Sequence, residues 1–166
     1  MKRNHYTWTK EHQYKNIQPT IFVEKLLCDK YGHIPNDYKL HMINNKLALV
    51  YCSIDREGMN YRKIYDPSWN NNGIKWAPYG THDSKRWEGP EIDKPENFSH
   101  MIKLARILSQ GFCYIRIDFY ELDGKVYVGE FTQHDQSGNS LIIPVEYDLK
   151  YGSLLTHKVS DRNIPY

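Results

Sequence analysis

Two acidic residues, Asp118 and Glu130, lie in a stretch of sequence, residues 114–132, that otherwise favours β-structure. The stretch is typical of two β-strands joined by a tight turn at Asp123-Gly124. Each strand carries acids among β-branched and aromatic residues, and such surroundings normally exclude charge. A carboxylate in that setting needs a partner, and a divalent cation that bridges nucleotide phosphates would be a natural one.

The register of this hairpin decides whether the two carboxylates can meet. If Asp123-Gly124 alone forms the loop, Asp118 faces Gly129 across the strands. Asp118 and Glu130 then point to opposite sides of the sheet, because side chains alternate along a strand. A simple two-residue loop therefore predicts that the acids are kept apart.

A three-residue loop, with Gly124 in the left-handed conformation of a bulged turn, brings the acids together. The carboxylates become diagonal neighbours, roughly 7–8 Å apart at the backbone. The polar side chains then share one face: Arg116, Asp118, Glu130 and Thr132. The other face is an apolar layer suited to a helix: Ile115, Ile117, Phe119, Tyr127 and Phe131. We prefer this register because it separates polar from apolar residues. The alternative is a surface hairpin in which Arg116 and Glu130 form an ordinary cross-strand ion pair.

The composition indicates a single domain, residues 1–166, with enough chain to bury a core. The 22 basic and 20 acidic residues nearly balance, which argues against a nucleic-acid partner. No apolar run approaches the roughly 20 residues that span a bilayer, and the first residues lack the apolar segment of a secretion signal. The three cysteines, Cys28, Cys52 and Cys113, indicate neither a disulfide framework nor a zinc site. We therefore expect a cytoplasmic protein without a membrane span.

The pattern of elements predicts an α+β fold, mainly an antiparallel sheet with helices packed on one face. Residues 1–19 form a polar segment with a short helix near 10–15 as its one expected element, and residues 66–90 form a long loop. Strands are predicted at 21–27, 38–43, 46–53, 61–65 and 74–76. The strongest helix begins near Pro95 and ends before Gly111, and a second runs from Pro144 to Leu155.

Five short segments have a recognisable order and spacing between about Tyr14 and Leu155. They are residues 21–27, 37–39, 62–66 with Trp69 nearby, 111–120, and 129–132 followed by Ser137-Gly138. In this order they resemble the C-terminal half of the ATP-grasp domain, most closely the TupA-like branch that is associated with teichuronopeptide and polysaccharide biosynthesis. The resemblance implies an ATP-grasp C-terminal subdomain.

The resemblance also implies an activity, the ATP- and Mg²⁺-dependent ligation of a carboxylate to an amine. The γ-phosphoryl group of ATP moves to the carboxylate, and the amine then displaces phosphate from the acyl phosphate. In this branch the ligation would belong to cell-surface polysaccharide biosynthesis. The substrates would be a small-molecule carboxylate and an amine or glycan precursor.

The residues that match the family's motifs receive roles from the resemblance. Main-chain groups of Glu24 and Leu27 would read the adenine edge, with Leu26 as part of an apolar wall. Asp37 would bind the ribose hydroxyls, and Lys39 and Arg62 are candidates for phosphate contact. Without the resemblance, Glu24 would be a solvent-facing residue, Asp37 a turn residue, and the two cations solvated charges.

The same resemblance assigns roles to the residues of the acidic hairpin. Asp118 and Glu130 match the carboxylates that hold Mg²⁺, and Thr132 stands where many relatives have a further metal ligand, an asparagine. Arg116 matches the arginine that meets the transferring phosphoryl group. Such a set is suited to phosphoryl transfer, because catalysis there is mostly positioning and cancellation of charge.

The chain resembles only the C-terminal half of the fold, so we expect weak ligase activity from it alone. A separate N-terminal-half chain or a homodimer neighbour would supply the missing half, unless the chain is a truncated gene product. Two alternatives stay open. A non-catalytic nucleotide- or glycan-binding module predicts Mg²⁺-dependent ATP affinity without phosphate release. A glycosyltransferase-associated protein of the same pathway predicts a preference for sugar nucleotides over ATP.

Overall fold

The computed structural model describes residues 6–78 and 89–155. The helices are α1 (Tyr6–Thr9), α2 (Phe98–Leu108) and α3 (Val145–Ser153), with short 3₁₀ turns at His12–Tyr14 and Asp135–Gly138. The strands are β1 (Asp37–Ile43), β2 (Lys46–Ile54), β3 (Tyr61–Tyr65), β4 (Lys75–Pro78), β5 (Tyr114–Leu122), β6 (Lys125–Thr132) and β7 (Ser140–Ile143). Residues 79–88 of the predicted long loop lie outside the described residues.

The main sheet has five strands in the order β3-β2-β1-β5-β6, and every neighbouring pair is antiparallel. A second sheet pairs β4 with β7. The predicted α+β class with a mainly antiparallel sheet is therefore confirmed. Among the described residues, no helix combines the length and the apolar character that crossing a membrane requires.

The β1–β2 hairpin forms where its turn residues predict it. Asn44 and Asn45 have φ angles of 48° and 63°, and asparagine tolerates this left-handed region better than most residues. Two such residues make the tight turn whose twist matches that of paired strands. The hairpin places β1 in the centre of the sheet, between β2 and β5.

The long helix α2 covers one face of the main sheet. Its apolar residues recur at helical spacing, and Phe98, Met101 and Ala105 are buried in one cluster with strand residues such as Leu40 and Ile117. Gly111, with a φ of 86°, follows the helix and turns the chain toward β5. The predicted pairing of the apolar hairpin face with a helix is confirmed for its β5 residues, Ile115, Ile117 and Phe119, whereas Phe131 of β6 is 46% exposed. The polar residues of β5 therefore lie on the opposite face of the sheet.

The opposite face of the main sheet divides into an apolar end and a charged end. Its apolar end is a second buried cluster, to which the loop before β4 and helix α3 contribute Ile74 and Tyr151. The sheet residues of this cluster include Leu49, Tyr51 and Ile64. The charged end lies over β1, β5 and β6.

Residues 21–27 do not form the predicted strand. The segment is irregular, and Ile21, Phe22 and Val23 are 97%, 74% and 95% exposed. An apolar run becomes a strand only where a neighbouring strand supplies backbone hydrogen bonds and an apolar face. No described strand pairs with this segment, so the run stays open to solvent.

Candidate functional site

The hairpin that carries the two acids closes with a two-residue turn, and the preferred three-residue loop is wrong. Leu122 pairs with Lys125, and Asp123 and Gly124 have φ angles of 51° and 71°. Both residue types accept the left-handed region, and this turn matches the twist of the strands. Taken alone, it would carry Asp118 away from Glu130.

A β-bulge at Gly129 restores the convergence of the acids. Phe119 pairs with Val128, but Asp118 pairs with Glu130, so that Gly129 is an extra residue in β6. The two acids are therefore direct cross-strand neighbours, closer than the diagonal pair that the sequence suggested. The bulge also corrects the apolar face. Val128 rather than Tyr127 lies opposite Phe119.

A side chain at Gly129 has no room. A Cβ atom there would stand 2.5 Å from the ring of Tyr120, which lies across the bulge from the opposite strand. The hydroxyl of Tyr120 in turn accepts a hydrogen bond of 2.8 Å from Arg56. The ring of Tyr120 therefore explains why the bulge requires glycine at position 129. The pairing of Asp118 with Glu130 depends on this bulge.

The sheet register gathers the other predicted polar residues into adjacent rows on the same face. One row crosses the sheet through Tyr51, Lys39, Asp118 and Glu130. The row beside it contains Arg62, Ser53 and Asp37, and the row on the other side contains His41, Arg116 and Thr132. Antiparallel pairing thus assembles residues from five strands that are up to 95 positions apart in the chain, from Asp37 to Thr132.

Lys39 lies at the centre of the charged rows. Its Nζ donates to Oδ2 of Asp37 and to Oδ2 of Asp118, each at 2.5 Å. Asp37 and Asp118 are 2% and 1% exposed. One ammonium group between two buried carboxylates satisfies charges that would otherwise be costly to bury. Lys39 is therefore not the solvated charge that its isolated sequence context favours.

Arg116 holds Asp118 from the other side. Its Nε lies 2.7 Å from Oδ1 of Asp118 and its Nη2 lies 2.9 Å from Oδ2, which is the bidentate geometry. Nη2 also lies 3.2 Å from Oε2 of Glu130, and Nη1 donates to Asp135. Burial opposes the charge on Arg116, but the hydrogen bonds and charge of Asp118 outweigh it and hold the pKa of the guanidinium above its usual range.

Asp135 belongs to this cluster, although the sequence did not identify it as a site residue. It begins the 3₁₀ turn that follows β6, and its ion pair with Arg116 is mostly buried. Its position directly after the strand that carries Glu130 is the one sequence signal that pointed to it. An acid in a short turn after an edge strand has many structural explanations, so the signal was weak.

Asp37 carries an unused hydrogen-bond acceptor. Its Oδ2 binds Lys39 and lies 3.8 Å from Nη1 of Arg56, whereas its buried Oδ1 has no partner in the described part of the chain. Burial raises the pKa of Asp37, the charge of Lys39 opposes that shift, and the charge of Asp118 adds to it. A buried acceptor without a partner is unfavourable until a ligand donates to it.

Two further polar atoms of the site lack partners within the described ranges. They are Oγ1 of Thr132 and Nε of Arg62, both buried. Arg62 is held by a hydrogen bond of 2.6 Å from its Nη1 to Oγ of Ser53 and by the ring of Tyr51, 5.5 Å from the guanidinium carbon. One acceptor and one donor are thus available where the sequence predicted ligand contacts.

A cavity of about 630 Å³ lies over these rows, and we call it the charged cavity. Its walls include Lys39, Tyr51, Arg62, Arg116, Glu130 and Thr132, together with Asp135 and its neighbours. The volume lies in the range of small-molecule sites. Asp37 and Asp118 lie beneath these walls and contact them through Lys39 and Arg116.

The three predicted adenine-binding residues do not line this cavity. Glu24 and Leu26 are exposed in the irregular segment before β1, and Leu27 is half-buried. The structure therefore brings together Asp37, Lys39, Arg62 and the four hairpin residues, and leaves the adenine segment apart from them.

The oxygens of Asp118, Glu130 and Thr132 suit a hard cation such as Mg²⁺. Mg²⁺ is usually bound by one or two carboxylates, with phosphate and water oxygens completing its shell. Within the described ranges, no three His, Cys, Asp or Glu side chains cluster in a way that could hold a metal ion. The unpartnered Thr132 hydroxyl and the paired carboxylates fit a metal that arrives with a phosphate ligand.

A family model described as TupA-like ATPgrasp matches residues 1–156. No curated protein and no solved structure matches the chain significantly. The matched range includes every residue of the charged cavity.

Proposed function

Because the chain belongs to the TupA-like ATP-grasp family, we propose that it binds ATP and Mg²⁺ in the charged cavity and ligates a carboxylate to an amine. The observation that carries the proposal is the pairing of Asp118 with Glu130 beside Arg116. We also propose that the ligation belongs to cell-surface polysaccharide biosynthesis, and membership of the family is the sole support for this pathway.

The three cations of the cavity are suited to a polyphosphate. All three side chains line the charged cavity, and they come from different strands: Lys39 from β1, Arg62 from β3 and Arg116 from β5. Phosphoryl transfer needs positive charge around the phosphate oxygens and a fixed approach of the reactants. Arg116 is half-buried and held by Asp118 in two hydrogen bonds, so its position is set before a ligand arrives. We propose that Arg116 contacts the transferring phosphoryl group and that Lys39 and Arg62 contact the other phosphates.

Asp118, Glu130 and Thr132 would hold Mg²⁺. When bound there, the metal would neutralise phosphate charge and orient the phosphate oxygens. In its absence Asp118 is neutralised by Lys39 and Arg116, whereas the side chain of Glu130 is 62% exposed. Glu130 is therefore the carboxylate that is free to turn toward an incoming metal with the least loss of existing contacts.

The nucleoside would lie at the end of the site where β1 begins. The unpartnered Oδ1 of Asp37 supports a contact with a ribose hydroxyl, since a hydroxyl would supply the missing donor. Glu24 and Leu27 would meet the adenine edge through main-chain groups, with Leu26 covering the ring. The exposure of Leu26, at 65%, leaves its surface available for that contact.

The experiment that tests the proposal measures binding of a non-hydrolysable ATP analogue by titration calorimetry, with Mg²⁺ and with EDTA. We expect binding with Mg²⁺ and a loss of at least tenfold in affinity without it. Glu130→Gln should reproduce most of that loss in the presence of Mg²⁺. Glu96→Gln, at an exposed site outside the cavity, is the matched control and should bind as the wild type does. Equal affinity with and without Mg²⁺ would overturn the metal assignment.

Ligation itself is tested by phosphate release. The purified chain is incubated with ATP, Mg²⁺ and a panel of carboxylates and amines, and phosphate is measured. We expect release that depends on both co-substrates and is abolished by Arg116→Ala. Analogue binding without any release across the panel would favour the non-catalytic binding module.

A further inference from the structure

A second cavity, of about 320 Å³, adjoins the charged cavity, and we call it the apolar cavity. The two share His134 and Asp135 in their linings. Asp135 also pairs with Arg116, the residue assigned above to the phosphoryl group. A molecule in the apolar cavity would therefore lie next to the reacting end of a molecule in the charged cavity.

The body of this cavity is apolar and aromatic. Its walls include Ile43, Leu49, Ile142 and Leu155 from different elements of the fold. Trp76 adds an aromatic wall with the ring of His41, at a centroid distance of 4.4 Å. A concave site of this size and lining is typical of small-molecule binding, in which apolar walls hold the ligand and a few polar groups orient it.

Three residues of the lining each hold a buried polar atom without a partner in the described part of the chain. They are Nε2 of His41, Nε1 of Trp76 and Oγ of Ser140. His41 is 2% exposed, and its Nδ1 lies 2.9 Å from the hydroxyl of Tyr114. Unpaired buried polar atoms are unfavourable in the free protein, so a ligand that pairs with them gains affinity.

The two cavities differ in their balance of charge. The charged cavity has three basic side chains that offset its three carboxylates, Glu11, Glu130 and Asp135, whereas the described lining of the apolar cavity has no lysine or arginine and two carboxylates, Asp135 and Asp148. Asp148 is exposed and makes no ion pair with any residue in the described ranges. The apolar cavity thus disfavours an anion and favours a neutral or positively charged group.

We propose that the apolar cavity binds the amine substrate, with an apolar or aromatic body between Trp76 and Leu49 and its amino group toward Asp135 and Asp148. The proposal rests on the proposed function, in which an amine must meet an acyl phosphate. The nitrogen forms the C–N bond as the bond from the carbonyl carbon to the phosphate oxygen breaks. The bound ammonium group loses two protons to solvent, one before attack to free the lone pair and one after the C–N bond forms, and phosphate leaves with the bonding electron pair.

The first test compares two probes of similar shape and opposite charge, 2-phenylethylamine and 3-phenylpropanoate. Binding to the full chain is measured at pH 7 without nucleotide, by ligand-observed NMR titration. We expect the amine to bind at least tenfold more tightly than the acid. Equal or tighter binding of the acid would overturn the proposal.

The second test fills the cavity from helix α3. A Cβ atom at Gly152 would meet no atom within 4 Å, and Gly152 is part of the lining, so Gly152→Leu places its side chain in open space at the cavity. We expect amine binding to weaken at least tenfold. Leu149→Phe adds bulk to the exposed side of the same helix and is the control. Unchanged amine affinity in Gly152→Leu would place the amine elsewhere and overturn the assignment.

The third test removes charge without changing shape. Asp148→Asn should weaken amine binding roughly threefold to tenfold, as expected for loss of a partly screened charge contact. Glu146→Gln makes the same change at an exposed position of α3 outside the cavity lining and should have no effect. Equal effects of the two variants would show a general charge effect and contradict a contact with Asp148.

These tests separate the inference from the proposed function. Gly152→Leu should keep Mg²⁺-dependent binding of the ATP analogue, and Glu130→Gln should keep binding of 2-phenylethylamine. Amine binding without any nucleotide binding would support the apolar cavity and contradict the ligase. Nucleotide binding without selective amine binding would contradict the apolar cavity alone.

Discussion

Asp118 faces Glu130 directly across β5 and β6, because the extra residue Gly129 shifts the pairing by one position. The two-residue turn at the end of the hairpin would otherwise set Asp118 against that glycine. The geometry of the candidate metal site therefore depends on a local irregularity of β6, about five residues from the turn.

Gly129→Ala should damage both the stability and the metal site. The added Cβ would overlap the ring of Tyr120, so that either the ring or the bulge must move. We expect the free energy of unfolding to fall by about 1–3 kcal/mol, as for other overpacking changes, and Mg²⁺-dependent affinity for an ATP analogue to fall at least tenfold. Urea unfolding and calorimetry measure the two effects.

Gly152→Ala is the matched control for that change, because a Cβ atom there meets nothing within 4 Å. It should be neutral or slightly stabilising, since alanine favours helix more than glycine does. Wild-type stability and nucleotide affinity in Gly129→Ala would show that the bulge does not set the position of Glu130.

The local elements of this fold could be predicted from the sequence, because their signals are short-range. The turn at Asn44-Asn45 and the helix before Gly111 each depend on residues within one or two turns of chain. The bulge could not be predicted in the same way. The contact between Gly129 and the ring of Tyr120 decides it, and that contact exists only once the strands have paired.

Long-range contacts explain the other differences. The apolar run at residues 21–27 carries a strand pattern, but a strand also requires a partner, which no described segment provides. Asp135 joins Arg116 across 19 positions through the turn that follows β6. Conversely, the motifs at Asp37, Lys39, Arg62 and Asp118 were predicted together, because the order of family motifs carries information about distant contacts that spacing alone lacks.

Lys39→Met should destabilise the fold strongly. The ammonium group lies 2.5 Å from both Asp37 and Asp118, and its loss leaves Asp37 buried with only Arg56 at 3.8 Å. Removing one partner of a buried ion pair typically costs about 3–5 kcal/mol. Urea unfolding at pH 7 measures the loss.

Two variants control the Lys39 experiment. Lys103→Met removes an exposed lysine of α2 and should change stability little. The double variant Asp37→Asn, Lys39→Met also removes the carboxylate charge that would be left buried without a partner. It should recover part of the lost free energy of unfolding. A loss below about 1 kcal/mol in the single variant would mean that the buried carboxylates do not need the ammonium group.

His41 should make stability depend on pH. Burial, and then the charges of Arg116 and Lys39, hold the pKa of His41 well below its usual range. Below about pH 6.5 the unfolded chain takes up a proton that the folded chain does not, so the free energy of unfolding falls as the pH falls. The contribution approaches about 1.4 kcal/mol per pH unit until the folded pKa is reached.

The measurement compares His41→Gln with the wild type in urea unfolding between pH 7.5 and pH 5. In His41→Gln the free energy of unfolding should fall less steeply than in the wild type as the pH is lowered. His100→Gln, at an exposed position of α2, should keep the wild-type slope. Parallel profiles for His41→Gln and the wild type would show that His41 is protonated equally in both states.

Nucleotide binding should order residues 21–27. In the free structure this segment has no described strand partner, and Ile21, Val23 and Leu26 are 97%, 95% and 65% exposed. If main-chain groups of Glu24 and Leu27 bind the adenine edge, their amides should exchange with solvent more slowly once the ATP analogue and Mg²⁺ are bound. Hydrogen exchange with site resolution should show at least tenfold slowing there and none at the exposed turn around Met59.

Side-chain variants sharpen this prediction, because only one side of the segment should cover the base. Leu26→Ser should weaken analogue binding several-fold by removing an apolar contact of about 1–2 kcal/mol, whereas Ile21→Ser should not. Both residues are exposed in the free protein, so neither change should lower the free energy of unfolding. Unchanged exchange at saturating analogue, together with equal affinities for the two variants, would place the adenine outside this segment and remove Glu24, Leu26 and Leu27 from the site.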